Sequence, residues 1–186
     1  MKRIVAVFLT LVLLTGCTGK RDELDRAMKL RADLLGCLEC SFDVTITADY
    51  GDKLHTFAMQ CQTTGRGDLQ FTVLQPETIA GITGEISSGE GKLTFDDTVL
   101  YFPLLADEQI TPVSGPWILV KTLLGGYLAS ANQEGDLLRL TIYDSYEEDA
   151  LQMEIWLNDS NIPVCAEILY GGRRIVTMHV ENFSIR

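Results

Sequence analysis

CSFDVTITADYGDKLHTFAMQCQ, residues 40–62, decides the fold class. Phe42, Val44, Ile46 and Ala48 alternate with Asp43, Thr45, Thr47 and Asp49, the period of a half-buried strand. Tyr50-Gly51-Asp52 reads as a turn. Beyond it His55, Phe57, Met59 and Cys61 alternate with Thr56, Ala58, Gln60 and Gln62. The stretch is therefore a long β-hairpin with one apolar face, and Cys40 and Cys61 share that face. A four-residue loop over 49–52 would set the two cysteines opposite each other, which favours them as a disulfide pair.

Downstream the same grammar continues. Thr64-Gly65-Arg66-Gly67 is a turn, and Leu69, Phe71 and Val73 mark a third strand that ends at Gln75-Pro76. Residues 77–91 are rich in glycine and serine, with strand-like character around Ile82 to Ile86. Lys92 to Phe95 and Val99 to Phe102 form a hairpin across Asp96-Asp97, and Leu104 to Val113 reads as irregular. A helix is expected from Pro116, with Ser114 as a cap. Trp117, Ile118, Leu119, Val120, Leu123, Leu124, Tyr127 and Leu128 make it apolar nearly all round, so it is buried or plugs a cavity. Gly125-Gly126 weakens its second half. Four strands follow, over 137–143, 151–157, 164–170 and 174–185.

Upstream, Leu24, Ala27, Met28, Leu34 and Leu35 recur at helical spacing from Asp22 to Leu35, before a stop at Gly36. The sum is an α+β, mainly β domain over residues 21–186. Its expected architecture is one strongly curved antiparallel sheet, or half-open β-barrel, with helices covering the concave face.

The N-terminus carries an export signal. Lys2 and Arg3 precede an apolar run from Ile4 to Leu14, too short for a spanning helix, which needs about 20 residues. Leu14-Thr15-Gly16-Cys17 has the form of a bacterial lipobox. Cleavage after residue 16 and lipidation of Cys17 would leave a short tether, residues 17–20. The protein would then sit on the extracytoplasmic face of the cell membrane, anchored by acyl chains at about 0.8 kcal/mol per buried CH₂. Loss of Lys2 and Arg3 takes the formal net charge from −11 to −13. So acidic a chain lacks the footprint of a nucleic-acid binder, and its body has no general attraction to anionic headgroups.

Cys37, Cys40, Cys61 and Cys165 remain, and they allow three full pairings. Cys37 and Cys40 form a C-x-x-C, but without the βαβ context of a redox motif or the second pair of a zinc site. A structural disulfide or buried thiols are the readings left. No constellation for catalysis is present in the pattern. His55 and His179 sit on alternating strands without a nucleophile motif. Gly89-Glu90-Gly91-Lys92 lacks the spacing of a phosphate loop, and Leu93 stands where it needs Ser or Thr. Asp144 with Glu147-Glu148-Asp149 lacks the glycine and spacing of a calcium loop. Neither cofactor nor metal is expected, and the chain reads as a non-enzyme.

Several segments from about Cys37 to the C-terminus resemble the LolA/LolB-like superfamily of lipoprotein carriers and their lipid-anchored relatives in monoderm bacteria. They are Ile155-Trp156-Leu157, then 158–163, Ala166-Glu167-Ile168, Gly171-Gly172-Arg173-Arg174-Ile175 and Val180-Glu181-Asn182-Phe183. Leu74-Gln75-Pro76-Glu77 and the segment 95–100 are similar to its strand–proline and strand–turn–strand pieces. The resemblance implies an open barrel that holds acyl chains or another hydrophobic ligand between sheet and helices. On that reading Phe42, Val44, Phe57, Met59, Phe71, Val73, Leu93 and Phe95 line the sheet, and Trp117, Leu124 and Tyr127 cover it. The alternative is that these residues simply fill a core. Soluble carriers lack a lipidated cysteine, so at Cys17 the chain departs from the carrier pattern, and the departure points to a tethered protein rather than a shuttle. The resemblance also implies a second role, as an envelope scaffold for a partner such as a cell-wall or spore-cortex hydrolase.

Overall fold

A computed structural model describes residues 18–186 apart from positions 50, 52, 89, 97, 104, 107–108 and 148–149. The export segment and Cys17 therefore lie outside the described residues. Helix α1 (Thr18–Gly36) comes first, followed by β1 (Cys40–Asp49), β2 (Leu54–Thr63), β3 (Leu69–Gln75), β4 (Thr83–Ser87), β5 (Glu90–Phe95) and β6 (Thr98–Pro103). A two-residue pair, β7 (Leu105–Ala106) and β8 (Gln109–Ile110), leads to helix α2 (Gly115–Gly125). The chain ends with β9 (Tyr127–Glu134), β10 (Leu137–Tyr143), β11 (Gln152–Leu157), β12 (Pro163–Tyr170) and β13 (Arg173–Ile185). Eleven strands form one antiparallel sheet in the order β6-β5-β4-β3-β2-β1-β13-β12-β11-β10-β9. The sheet is open: β6 and β9 are its two edges, and β1 joins the N-terminal meander to the last strand.

The period-two reading of β1 holds: Phe42, Val44, Ile46 and Ala48 are buried. Their partners across β2 are Cys61, Met59, Phe57 and His55. On the other half of the sheet Leu138, Leu140, Ile142, Met153, Ile155, Leu157, Val176, Met178 and Val180 are buried. Both helices pack on this apolar face. Ala27, Leu30 and Leu34 of α1 and Ile118, Leu119, Val120 and Leu123 of α2 join the same core. Full burial of a large apolar side chain contributes about 1.5–3 kcal/mol, so this layer dominates the fold's stability.

Two details re-aim side chains. Asn182 has φ of +52°, and the β1–β13 register shifts between Ser41 and Asp43. This bulge turns Phe183 toward the helices, where it stacks on Phe42 at 5.7 Å between ring centroids. Gly84 lies opposite Phe71, and a Cβ there would meet the ring at 2.1 Å. Within the glycine-rich stretch β4 is thus a strand with an empty position that seats an aromatic.

Three expectations need correction. The second helix stops at Gly125, and Tyr127 and Leu128 belong to β9, because Gly126 is extended (ψ 159°) and caps the helix through its N–H to Thr122 O at 2.8 Å. Helix α1 begins at Thr18, four residues before its expected start at Asp22. The Cys40–Cys61 disulfide is not formed: all four described cysteines are thiols. Asp49 pairs with Leu54, so the loop runs over 50–53, and Cys61 faces Phe42 while Cys40 faces Thr63.

Candidate functional site

Arginines fix the helices that shape the site. Arg31 of α1 reaches the C-terminal end of α2, where the last four helical carbonyls have no partner within the helix. Its Nε donates to Leu123 O at 2.7 Å, and its Nη2 donates to Gly126 O at 2.8 Å and Thr122 O at 3.4 Å. A cation at this end also meets the negative pole of the helix dipole. Burial lowers the Arg31 pKa from its usual value. Arg26 ties the same helix to the β11–β12 turn through Asn161 Oδ1 at 2.8 Å and Asn158 O at 3.0 Å.

Between these pinned helices and the β2–β3 turn lies a cleft of about 590 Å³. Leu35 at the end of α1 forms one wall, and Trp117, Lys121 and Leu124 of α2 form another. The floor is the turn from Gly65 to Asp68. Gly65 has to be glycine for close approach, since a Cβ would meet Leu35 O at 2.8 Å. Gly67 N donates to Thr64 O at 2.9 Å, closing the turn, and Ser87 Oγ donates to Asp68 Oδ1 at 2.9 Å. The Lys121 ammonium sits 5.0 Å from the centroid of the Trp117 ring.

The eleven residues expected to line a hydrophobic pocket divide into three groups. Phe42, Val44, Met59, Phe71 and Val73 are buried in the packed core beneath the helices. Phe57, Leu93, Trp117 and Leu124 are half-buried against it, and only Trp117 and Leu124 of these line the cleft. Phe95 and Tyr127 are 50% and 48% exposed, at opposite ends of the open sheet. Tyr127 stands 5.0 Å from Tyr146 between ring centroids. Sequence reading missed Leu35, Arg66 and Lys121 as site residues. The available signal was the Trp117–Lys121 spacing of four, which places both on one side of a helix.

The other chemistry is quiet. Cys37 Sγ donates to Leu34 O at 3.0 Å. Burial pushes the Cys40 thiol up to about 12, with the neighbouring Cys37 and Glu39 adding to the shift. Burial also raises the Cys61 and Cys165 thiols. These thiols are protonated at neutral pH and are poor nucleophiles or ligands. Among the described residues no three His, Cys, Asp or Glu side chains are grouped to hold a metal. The Asp144 carboxylate accepts from Leu151 N at 2.8 Å, fixing its turn rather than facing an ion.

No family model matches the chain, and no curated protein matches it. Solved structures do. The chain resembles LolA superfamily proteins in fold. One from Nitrosomonas europaea is 11% identical, with 86% of this chain and 93% of that one covered at a TM-score of 0.44. The structure of the CwlD amidase from Clostridioides difficile in complex with the GerS lipoprotein matches at 13% identity, covering 92% and 99%, with a TM-score of 0.49. The lipoprotein LppX from Mycobacterium tuberculosis matches at 11% identity, covering 87% and 93%, with a TM-score of 0.42.

Proposed function

We propose that this protein is a membrane-anchored lipoprotein that shelters the apolar part of a lipid, or of another hydrophobic ligand, without catalysing a reaction. The observation that carries this reading is the cleft beside α2. Its volume of about 590 Å³ lies within the ~300–1,000 Å³ of small-molecule sites, and Leu35, Trp117 and Leu124 give it apolar walls. Leu30 and Leu34 of the same helix are buried, whereas Leu35, at its end, is 55% exposed on the cleft. An exposed apolar wall of this kind supports a ligand rather than a packing role. Among the described residues no helix is long and apolar enough to cross a membrane. The anchor in this reading is the lipid on Cys17, after removal of residues 1–16. Native mass spectrometry of the mature protein from its own host tests the proposal. A hydrophobic adduct that detergent displaces is expected; a clean apo mass contradicts it.

A second reading, an envelope scaffold that binds a partner such as a cell-wall or spore-cortex hydrolase, is favoured by the β6 edge. Phe95 and Thr98 close the two-residue turn between β5 and β6. That register directs the N–H and C=O of Val99 and Tyr101 away from β5, toward the unpaired side of the sheet. Leu100 and Tyr101 are 61% and 71% exposed. Edges are ordinarily blunted by charge or proline: β9 carries Glu134, whereas β6 has no charge over 98–102 and a proline only at its last residue, Pro103. Such an edge suits strand addition by an extended partner. Val99→Pro removes an outward N–H and leaves the β5 ladder intact. Cross-linking in cells should recover an envelope protein with the native chain and lose it with this variant; recovery of none sinks this reading.

A further inference from the structure

We propose that the cleft selects amphiphiles with an anionic headgroup, the chain lying along Trp117, Leu124 and Leu35 and the headgroup toward Arg66 and Lys121. This deepens, and rests on, the reading that the cleft takes an apolar ligand. The charge pattern argues it. The chain carries a net −11, so two cations on one apolar cleft run against the background. Ion pairs with carboxylates within 4.0 Å are made by Arg139, Arg173 and Arg174. Among the described residues Arg66 and Lys121 make none, and neither do Lys29, Lys53 and Lys92, so what marks Arg66 and Lys121 is that both line one cleft with their charges uncommitted.

The arrangement of apolar and charged groups is that of an amphiphile site. Lys121 holds its ammonium over the Trp117 ring, 5.0 Å from the centroid, so a charge is kept at the surface of the apolar wall. Arg66 stands on the glycine turn opposite, whose lack of side chains keeps the floor clear. A Cβ at Gly67 would come within 3.3 Å of Leu124 Cδ1. One carboxylate, Asp68, also lines the cleft, but one of its oxygens already accepts from Ser87. Beyond about 8 Å the field of the acidic body is largely screened at physiological salt, so the two cations dominate a headgroup in direct contact with them. A phosphate or carboxylate offers Arg66 the geometry its guanidinium fork matches.

The test is a competition on the intact mature lipoprotein in mild neutral detergent, read by native mass spectrometry. The probes are lysophosphatidylglycerol and lysophosphatidylcholine of matched chain length, at equal concentration. The anionic lipid should give about tenfold more adduct. The double variant Arg66→Gln with Lys121→Gln should bring the ratio near one while still binding lipid. Both positions are exposed, so the variant should fold. Equal adducts on the native protein overturn the headgroup assignment and leave the apolar cleft standing. Adduct with neither lipid overturns both. If millimolar inorganic phosphate removes the preference completely, the site is a simple anion site and the amphiphile assignment fails.

Discussion

Replacing Arg31 with methionine keeps an unbranched apolar stem and removes the charge and the donors. In the native protein two short hydrogen bonds, 2.7 Å to Leu123 O and 2.8 Å to Gly126 O, tie α1 to the end of α2. Hydrogen bonds from a charged donor contribute roughly 1.5–3 kcal/mol each, and a cation at a helix C-terminus adds about 0.3–1 kcal/mol. The site is only half-buried, so water reaches the released carbonyls, and the variant no longer has a guanidinium to desolvate. Both effects lower the loss, to about 2 kcal/mol. With a urea slope of ~2 kcal/mol/M the midpoint should fall by about 1 M. Equilibrium urea unfolding by far-ultraviolet circular dichroism measures this. Because Leu124 follows the anchored carbonyl of Leu123, the variant should also weaken binding in the cleft. A stability change under about 0.5 kcal/mol would show that Arg31 is an incidental surface contact and that the helices are held by packing alone.

Other perturbations separate core from site. Phe71→Ala should cost about 3–5 kcal/mol as a buried cavity, whereas Phe95→Ala, at 50% exposure, should stay within about 1 kcal/mol; thermal unfolding of the two variants gives the comparison. Gly84→Val should lower stability by at least about 2 kcal/mol, since the new side chain would overlap the Phe71 ring, and an unchanged melting temperature would refute that packing. Cys40 and Cys61 should react with iodoacetamide only on unfolding at neutral pH. Their folded pKa values lie above the thiol reference of 9.0, so they stabilise the fold below about pH 9; that stability falls as pH rises through the folded value of about 12 for Cys40, and a urea midpoint that rises over this window contradicts it.

The fold was legible where alternation and turns agreed. Strands β10 to β13 lie within one residue of their expected bounds because Gly171-Gly172 and residues 158–161 bracket clear alternating runs. Strand β9 was missed. Ala129, Ser130, Ala131, Asn132 and Gln133 have little intrinsic strand preference, and they become a strand because β10 offers an edge to pair with. The helix before it was drawn too long for the related reason that its apolar run continues through Tyr127 and Leu128 into that strand. Alternation also fixes which face a residue takes but not what covers that face. Phe42 and Phe71 were therefore equally good as core or pocket until the helices were placed over them. The cations of the cleft gave weaker signals, since Arg66 sits in a short turn and joins Lys121 only through the tertiary fold.

The most direct test places a photo-crosslinking residue, p-benzoylphenylalanine, at position 124 of the full chain in its own host, followed by irradiation and intact-mass analysis. A covalent adduct with the mass of a lipid or other hydrophobic small molecule is expected, lost from the product when Trp117 is also changed to glutamate. Irradiation that yields no such adduct, or joins position 124 only to another protein, would contradict it.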